Sequence, residues 1–561
     1  MRIQSAKQLR PGLGTLASKS GLKIGVDLDN TLINYDSAFL QGARDLGLLA
    51  PGWQGNKKQI RDYLCSHDGG ESQWQGLQGQ VYGRLITHAR LFDGVYRFLW
   101  RCRQRGFLVD LVSHKTEYGH NDNNRVPLRK VALEFLANHG IVPGEDGLLR
   151  GVSFENTREQ KVQRIIENNY DWFVDDLAEV LEDALLPNEL GRILFDESAP
   201  SLMGGIERYC SWAEIEHRLL GAWTEHELRA LAETLASETV TSVKWATMGG
   251  NSGLLEVVMD NGKKSALKLY PGCSGHDRLN SEYDSIRAIK AHDAGSSVPA
   301  PRGCDRGLSV AMYEWIDGEV VDRPSSEHVQ QALEFLGDLH GLRGLPAFES
   351  FQNASAAFLS GASLEDQLRS RFQVLMLSAS KYQELHEYLQ SEVLPVIEEI
   401  TSWTRSGWRI QPYYSEPLPR SQQTLSPSDF GFHNAIEREN GKLAFIDFEY
   451  FGWDDPVKLI VDFCFHPGMV LNSALKQQWI GGAVKIYGEE ILDRLQLAWP
   501  MIGLCWCLIL LNEYRGDVWL RRCAANAEKV RHREAILAIQ LRRSRALLGM
   551  IRDRHEQFPF H

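Results

Sequence analysis

Three short apolar runs stand out in the first third of the chain: Ile24-Gly-Val26, Leu108-Val-Asp-Leu-Val112 and Trp172-Phe-Val174. Runs this short, rich in β-branched or aromatic residues and bounded by polar ones, predict buried strands of a parallel sheet rather than helices. Each empties into polar side chains: Asp27-Leu-Asp29 after the first, Ser113 after the second, Asp175-Asp176 after the third. Between them the period changes. Residues 33–91 read as a mixed helical insertion punctuated by glycine, 92–106 as a helix with a glycine stop, and 161–168 as an amphipathic helix headed by Lys161. Arg192-Ile-Leu-Phe195 reads as the last strand and residues 212–220 as a closing helix, so that a first domain ends near Gly221.

The pattern then changes character. Thr224-Glu-His-Glu227 is a capping box that opens a new helix. Residues 241–270 predict consecutive strands, joined first by Gly249-Gly-Asn-Ser-Gly253 and then by Asp260-Asn-Gly262, a hairpin turn because Asn-Gly accepts positive φ. Ala266-Leu-Lys268-Leu-Tyr270 sets a lysine inside an apolar strand, where its burial is costly without an anion nearby, and Glu282 follows in a helical stretch. Residues 363–408 predict helices, and the most apolar run, 497–511, predicts a buried helix broken by Pro500 rather than a membrane span. Residues 514–554 predict a helical end with a solvated arginine face, including Arg521, Arg522, Arg542, Arg543 and Arg545. The expected organisation is a lead-in (1–20), a first α/β domain (21–221) with its insertion at about 33–91, and a second domain (222–561) with lobes at about 222–318 and 319–561.

Composition narrows the partners. A chain of 561 residues exceeds one core, and 43% apolar with 24% charged residues is the balance of a folded globular protein. A net charge of −12 argues against non-specific nucleic-acid binding. Nine dispersed cysteines, Cys505 and Cys507 being the closest pair, read as reduced thiols. Residues 1–22 carry Lys7, Arg10 and Lys19 without a long apolar core, so no secretory signal is expected and a cytoplasmic location is. The oligomeric state is open.

In order, the first domain offers an acid pair, a hydroxyl, a lysine and a second acid pair, three of the four at strand tips, where open α/β sheets gather ligands. This set resembles the haloacid-dehalogenase-like phosphohydrolases over roughly the first 220 residues. The resemblance implies a Rossmann-like domain with a small helical cap. It makes Asp27 the nucleophile that forms an aspartyl-phosphate and Asp29 the general acid and base. Ser113 and Lys161 would bind the phosphoryl oxygens, and Asp175 and Asp176, with Asp27 and Asp29, would hold Mg²⁺. An acid at Asp29 argues for phosphate-ester hydrolysis. Capping of the following helix is the structural alternative for Asp175-Asp176. His114 and His120, near Ser113, lack zinc-ligand spacing and read as loop residues.

In the second half, Ala311-Met-Tyr-Glu314-Trp-Ile-Asp-Gly318 resembles the hinge between two kinase lobes. With Ser426-Pro-Ser-Asp429-Phe-Gly-Phe-His-Asn434, Phe445-Ile-Asp447-Phe-Glu449 and Gly452-Trp-Asp-Asp-Pro456, it is similar to the aminoglycoside-phosphotransferase and choline-kinase-like small-molecule kinases. The resemblance implies a two-lobed α+β protein-kinase-like fold that uses ATP and Mg²⁺. Asp429 would be the base, Asn434 and Asp447 metal ligands, and Lys268 the phosphate partner oriented by Glu282. Gly249, Gly250, Asn251, Ser252 and Gly253 would form the nucleotide loop, with Glu314 at the hinge and Glu449 a weaker candidate. The family carries His-Gly before the base where this chain has Pro427-Ser428, which predicts a rebuilt loop.

The reading is a bifunctional phosphatase and kinase acting on small hydroxylated metabolites, a sugar or an amino alcohol. Its alternative keeps one catalytic domain beside a binding or regulatory module.

Overall fold

The computed structural model describes residues 21–50, 52–119, 125–196, 202–203, 205–248, 252–271, 276–292, 297–469, 471–519 and 532–558. The expected lead-in, His120, the loop residues Gly249, Gly250 and Asn251, and Arg521 and Arg522 lie outside them. The chain divides into two compact units, the first running to Leu231 and the second from Ala232 onward apart from residues 307–309.

The first unit is built on a seven-stranded sheet. Its strands are β1 (Lys23–Val26), β4 (Leu108–His114), β5 (Gly151–Glu155), β6 (Trp172–Asp175), β7 (Gly191–Phe195), β8 (Leu202–Met203) and β9 (Ile206–Tyr209), in the order β5-β4-β1-β6-β7-β9-β8. All neighbours are parallel except β8 and β9. The three apolar runs are thus adjacent, β4 and β6 flanking β1, and their two-sided burial explains why they read as continuous apolar segments. Gly25 sits opposite Phe173, and a Cβ there would come within 2.4 Å of that ring, so the strand tolerates no side chain at this point.

Two short strands, β2 (Ile33–Asn34) and β3 (Arg90–Leu91), pair antiparallel and bracket the insertion. Its helices, Asp36–Asp45, Lys57–Cys65 and Gly70–Val81, pack around Phe39, Ile60, Trp74 and Leu77. Beyond β7 the structure departs from the sequence reading, which ended the sheet at Phe195. β9 adds a parallel strand and β8 an antiparallel edge. Ile206-Glu-Arg-Tyr209 is paired on both sides but only its first residue is fully buried, and its Glu207 accepts from Nε and Nη2 of Arg218 at 2.7 and 2.8 Å, so its polar residues carry no apolar signal.

The capping box at Thr224 forms: the Glu227 amide donates to Thr224 Oγ1 (3.2 Å) and the Thr224 amide to Glu227 Oε2 (2.6 Å). Glu227, fully buried, also receives Arg101 and Arg105 from the helix Val95–Gln104 and its C-cap. That network ties the start of the helix Glu225–Ala236 to the first unit and explains why the unit runs past Gly221.

The second unit opens with an antiparallel five-stranded sheet of β10 (Val240–Met248), β11 (Gly253–Met259), β12 (Lys264–Leu269), β13 (Pro301–Asp305) and β14 (Val310–Glu314), in the order β10-β11-β12-β14-β13. Gly262 takes φ of +78° in the β11–β12 turn, as the Asn-Gly signal requires. The helix Arg278–His292 packs on this sheet. A larger helical part follows, holding β15 (Glu319–Val320), β16 (Thr424–Ser426), β17 (Ala435–Glu437), β18 (Leu443–Phe445) and β19 (Gly452–Asp454). Its core includes the helix Leu492–Leu510, with Trp499, Leu504 and Cys507 buried and Pro500 accommodated inside. By length and composition Glu489–Tyr514 is long and apolar enough to cross a membrane, and 78% of its apolar window is buried within the unit. In the basic helix Arg533–Arg554, Arg545 pairs with Glu384 and Glu392.

Candidate active sites

Parallel register aligns the strand tips of the first unit. Val26 sits beside both Leu111 and Val174, so Asp27, Ser113 and Asp175 emerge at one end of the sheet, and the Asp27 amide donates to Val174 O (2.9 Å). Lys161, from the helix Arg158–Asn168, reaches the same point. Its ammonium lies 2.6 Å from Asp27 Oδ1 and 2.6 Å from Asp175 Oδ2, and all three side chains are buried. Burial opposes the lysine's charge, yet Asp27 and Asp175 outweigh it and raise its proton affinity.

Carboxylate oxygens of Asp27, Asp175 and Asp176 lie within 4.8 Å of one another. Burial, assisted by Asp27, pushes Asp176 up to about 8, and burial pushes Asp175 up to about 6 against the pull of Lys161. Asp175 Oδ2 makes no hydrogen bond of good geometry despite its nearness to Lys161. Three crowded carboxylates, two of them raised by burial, form a donor set suited to a hard divalent cation. Asp175 also accepts from the Leu177 amide (3.0 Å), so the capping alternative holds alongside the cluster.

Asp29 stands half-buried beside this group, held by Tyr35 (hydroxyl to Oδ1, 2.7 Å) and Lys115 (Nζ to Oδ2, 2.8 Å). These sites share a cleft of about 1250 Å³ that Ser113, Lys57 and Arg61 also line. Lys57, from the insertion, donates to Asn30 Oδ1 (3.1 Å) and Tyr82 (2.9 Å). Sequence reading passed over Lys115, Lys57 and Tyr35. Lys115 stands two residues beyond Ser113 at the same strand tip; the other two come from the insertion, whose helical pattern does not show which side chains face the cleft. His114 also lines the cleft, its Nε2 2.9 Å from Asn156 O.

In the second unit Lys268 projects from β12 and is met by Glu282 from the helix Arg278–His292 (Nζ to Oε2, 2.6 Å) and by Asp447 (Nζ to Oδ1, 2.6 Å). Burial works against its charge, and Asp447 and Glu282 more than restore it. Glu282 is buried and held further by the Tyr270 hydroxyl (2.8 Å). Oxygens of Glu282, Asp447 and Glu449 gather within 4.8 Å, and Ser252 donates to Glu449 Oε2 (2.7 Å). Glu449, the weaker sequence candidate, is therefore part of the cluster. Gly253 begins β11 where a Cβ would come within 2.8 Å of the Trp245 ring. Glu314 faces elsewhere, its Oε2 accepting from the Ala300 amide (3.0 Å) and its Oε1 lying 3.5 Å from Arg438.

Asp429 follows β16. Pro427-Ser428 replaces the expected His-Gly, and Ser428 adopts φ of +68°, the left-handed conformation a glycine there supplies without strain. The rebuilt loop is fastened by the Ser428 hydroxyl to Ser355 O (3.1 Å) and by the Ser428 amide to Ser426 Oγ (3.0 Å). Asn434 Nδ2 donates to Asp429 O (2.9 Å), and His433 Nε2 lies 3.1 Å from Asp429 Oδ1. Burial opposes ionisation of Asp429, while His433 and then His466 hold its carboxyl below the usual range. The two imidazoles stack at 3.8 Å, and burial lowers His466 to about 4. The pairing of Ala435 with Phe445, continued by the Ile446 amide to Asn434 O (2.9 Å), brings Asn434 beside the segment that carries Asp447.

Residues 256–490 match the phosphotransferase enzyme family, a span that contains Lys268, Glu282, Asp429, Asn434 and Asp447. Over that span the second unit is similar to that family. Among solved structures, the chain is similar to spectinomycin phosphotransferase APH(9)-Ia in complex with ADP and spectinomycin (13% identity, TM-score 0.42, 58% of this chain and 98% of that one). It is similar to amicoumacin kinase hAmiN in complex with AMP-PNP, Ca²⁺ and Ami (15%, 0.39, 59% and 94%). It is also similar to choline kinase from Cryptosporidium parvum Iowa II (14%, 0.35, 55% and 90%). No curated protein matches the chain.

Proposed function

From the family match of residues 256–490, we propose that the second unit is an ATP-dependent kinase of a small hydroxylated metabolite. We propose that the first is a Mg²⁺-dependent phosphate-ester hydrolase of the haloacid-dehalogenase type. The observation that carries the kinase reading is Lys268 held at 2.6 Å by both a buried glutamate and the half-buried Asp447. A cation so placed binds nucleotide phosphates and is kept in position by Glu282. Asp447, with Asn434, would hold Mg²⁺, which supplies charge neutralisation at the phosphates when bound. Asp429, its carboxylate held by His433 and its main-chain carbonyl by Asn434, takes the acceptor hydroxyl proton as the oxygen attacks the γ-phosphorus and ADP leaves with the bonding pair. ADP release with Mg-ATP and a panel of small polyols tests this. Asp429→Asn is expected to lower kcat by about 10²- to 10⁴-fold with KM for ATP little changed; turnover equal to wild type contradicts the assignment.

For the first unit the supporting observation is the convergence of Asp27, Asp175, Asp176 and Lys161. Asp27 attacks phosphorus, Lys161 and Ser113 bind the phosphoryl oxygens, and Asp29, in reach of Tyr35 and Lys115, protonates the leaving oxygen and then activates water. Mg²⁺ held by Asp27, Asp175 and Asp176 would offset the repulsion between carboxylate and phosphate. Hydrolysis of a generic aryl phosphate that is Mg²⁺-dependent and lost in Asp27→Asn is the expected result. Equal rates in the two proteins rule out the nucleophile.

A single-activity reading, with the second unit binding nucleotide without transfer, draws on Pro427-Ser428. The left-handed Ser428 and the paired Asp429 count against it.

A further inference from the structure

The second unit holds a cavity of about 640 Å³ with Asp429 in its wall. The helix Gly361–Ala379 presents Leu364, Gln367 and Arg371 to it at three- and four-residue spacing, and Trp506 and Phe358 supply aromatic surface. Charged side chains around the cavity have partners of their own. Lys458 pairs with Asp462 (2.7 Å), which also accepts from Trp506 Nε1 (2.8 Å). Arg278 faces Glu449 (3.4 Å), Arg515 faces Asp517 (2.8 Å), and Glu513 accepts from Gln540 (3.3 Å).

Arg371 is the exception. Half-buried in the cavity wall, it makes no hydrogen bond or ion pair with any described residue, and it stands close enough to Lys458 for the two like charges to oppose each other. A guanidinium offers a planar fork of donors matched to a carboxylate or phosphate, and leaving it partly desolvated beside another cation is unfavourable until an anion arrives.

Resting on the kinase reading above, we propose that the acceptor is anionic. Arg371 grips its carboxylate or phosphate while the hydroxyl to be phosphorylated faces Asp429. An amino alcohol or amino sugar meets no free carboxylate there, because Asp462 and Glu513 are engaged and Asp429 is occupied with the hydroxyl.

The test uses the full chain carrying Asp27→Asn, so that phosphate esters survive, loaded with Mg-AMP-PNP. Binding of glucuronate, glucose 6-phosphate, glucose and glucosamine is measured by calorimetry, with and without Arg371→Gln. The expected result is that an anionic hexose binds most tightly, glucuronate and glucose 6-phosphate distinguishing carboxylate from phosphate. Arg371→Gln should weaken that binding at least about tenfold, Arg371→Lys should retain part of it, and affinity for Mg-AMP-PNP should stay constant. Preference for glucose or glucosamine, absence of any preference, or an anion preference that survives Arg371→Gln overturns the inference and leaves the kinase reading intact. Failure of the chain to bind Mg-AMP-PNP overturns both.

Discussion

Glu282 and Asp447, two partners of one lysine, differ in what breaking each pair costs. Glu282 is 3% exposed, and its only cation is Lys268 among the described residues, so Lys268→Met strands a buried carboxylate. The expected cost is about 3–5 kcal/mol in denaturant unfolding of the second unit. Asp447→Ala, at a half-buried position, is expected to cost under about 1 kcal/mol. Ser428 gives a second contrast. Its positive φ suits glycine, so Ser428→Gly is expected to stay within about 1 kcal/mol of wild type, while Ser428→Val should lose about 2 kcal/mol or more through strain, read from the same unfolding curves. These residues differ in how visible they are in sequence. Lys268 announces itself as a charge in an apolar strand, and Asp27, Asp175 and Asp176 as acids at the ends of apolar runs. Arg371 and Lys115 lie in ordinary polar surroundings, and only the fold reveals that one lacks a partner and the other holds Asp29.

At the scale of elements, the helix Gly361–Ala379 is tied to its surroundings by Glu365, which accepts from Tyr414 (2.6 Å), Arg369 (2.8 Å) and Arg405 (2.6 Å). Burial alone would raise this carboxyl; the Tyr414, Arg369 and Arg405 hydrogen bonds win and lower it from 4.5 to about 2. A depressed acid stabilises the fold fully above its unfolded value and loses that contribution as pH falls through the folded one. The helix's attachment should therefore weaken between about pH 4.5 and 2. The exposed arginines screen the effect to about 1–2 kcal/mol, and Glu365→Gln should remove it from the pH profile of unfolding. Elements with strong apolar signals, β1, β4, β6 and the hairpin of β11 and β12, were legible in the sequence. The short edge strand β8 and its neighbour β9 were not, since β8 is two residues long and β9 is mostly polar, with Glu207 and Arg218 satisfying each other there.

At the scale of the molecule, each unit has its own hydrophobic core, one from residues between Leu22 and Leu220 and the other from residues between Tyr270 and Phe558. Separate cores predict two calorimetric unfolding steps, only one of which Mg-ATP should raise. The proposed pairing of a kinase with a phosphatase in one chain makes chemical sense if a metabolite gains a phosphate at one position and loses it at another. The product of one unit is then a substrate of the other, and unrelated substrate profiles would refute that pairing. The most direct measurement of the central claim is the stabilisation of the full chain by Mg-ATP, compared between wild type and Asp447→Ala. At a hundredfold excess over Kd the wild-type second unit should gain about 2.7 kcal/mol and Asp447→Ala almost nothing; equal stabilisation of the two proteins, or none in wild type, contradicts a magnesium-nucleotide site at Lys268 and Asp447.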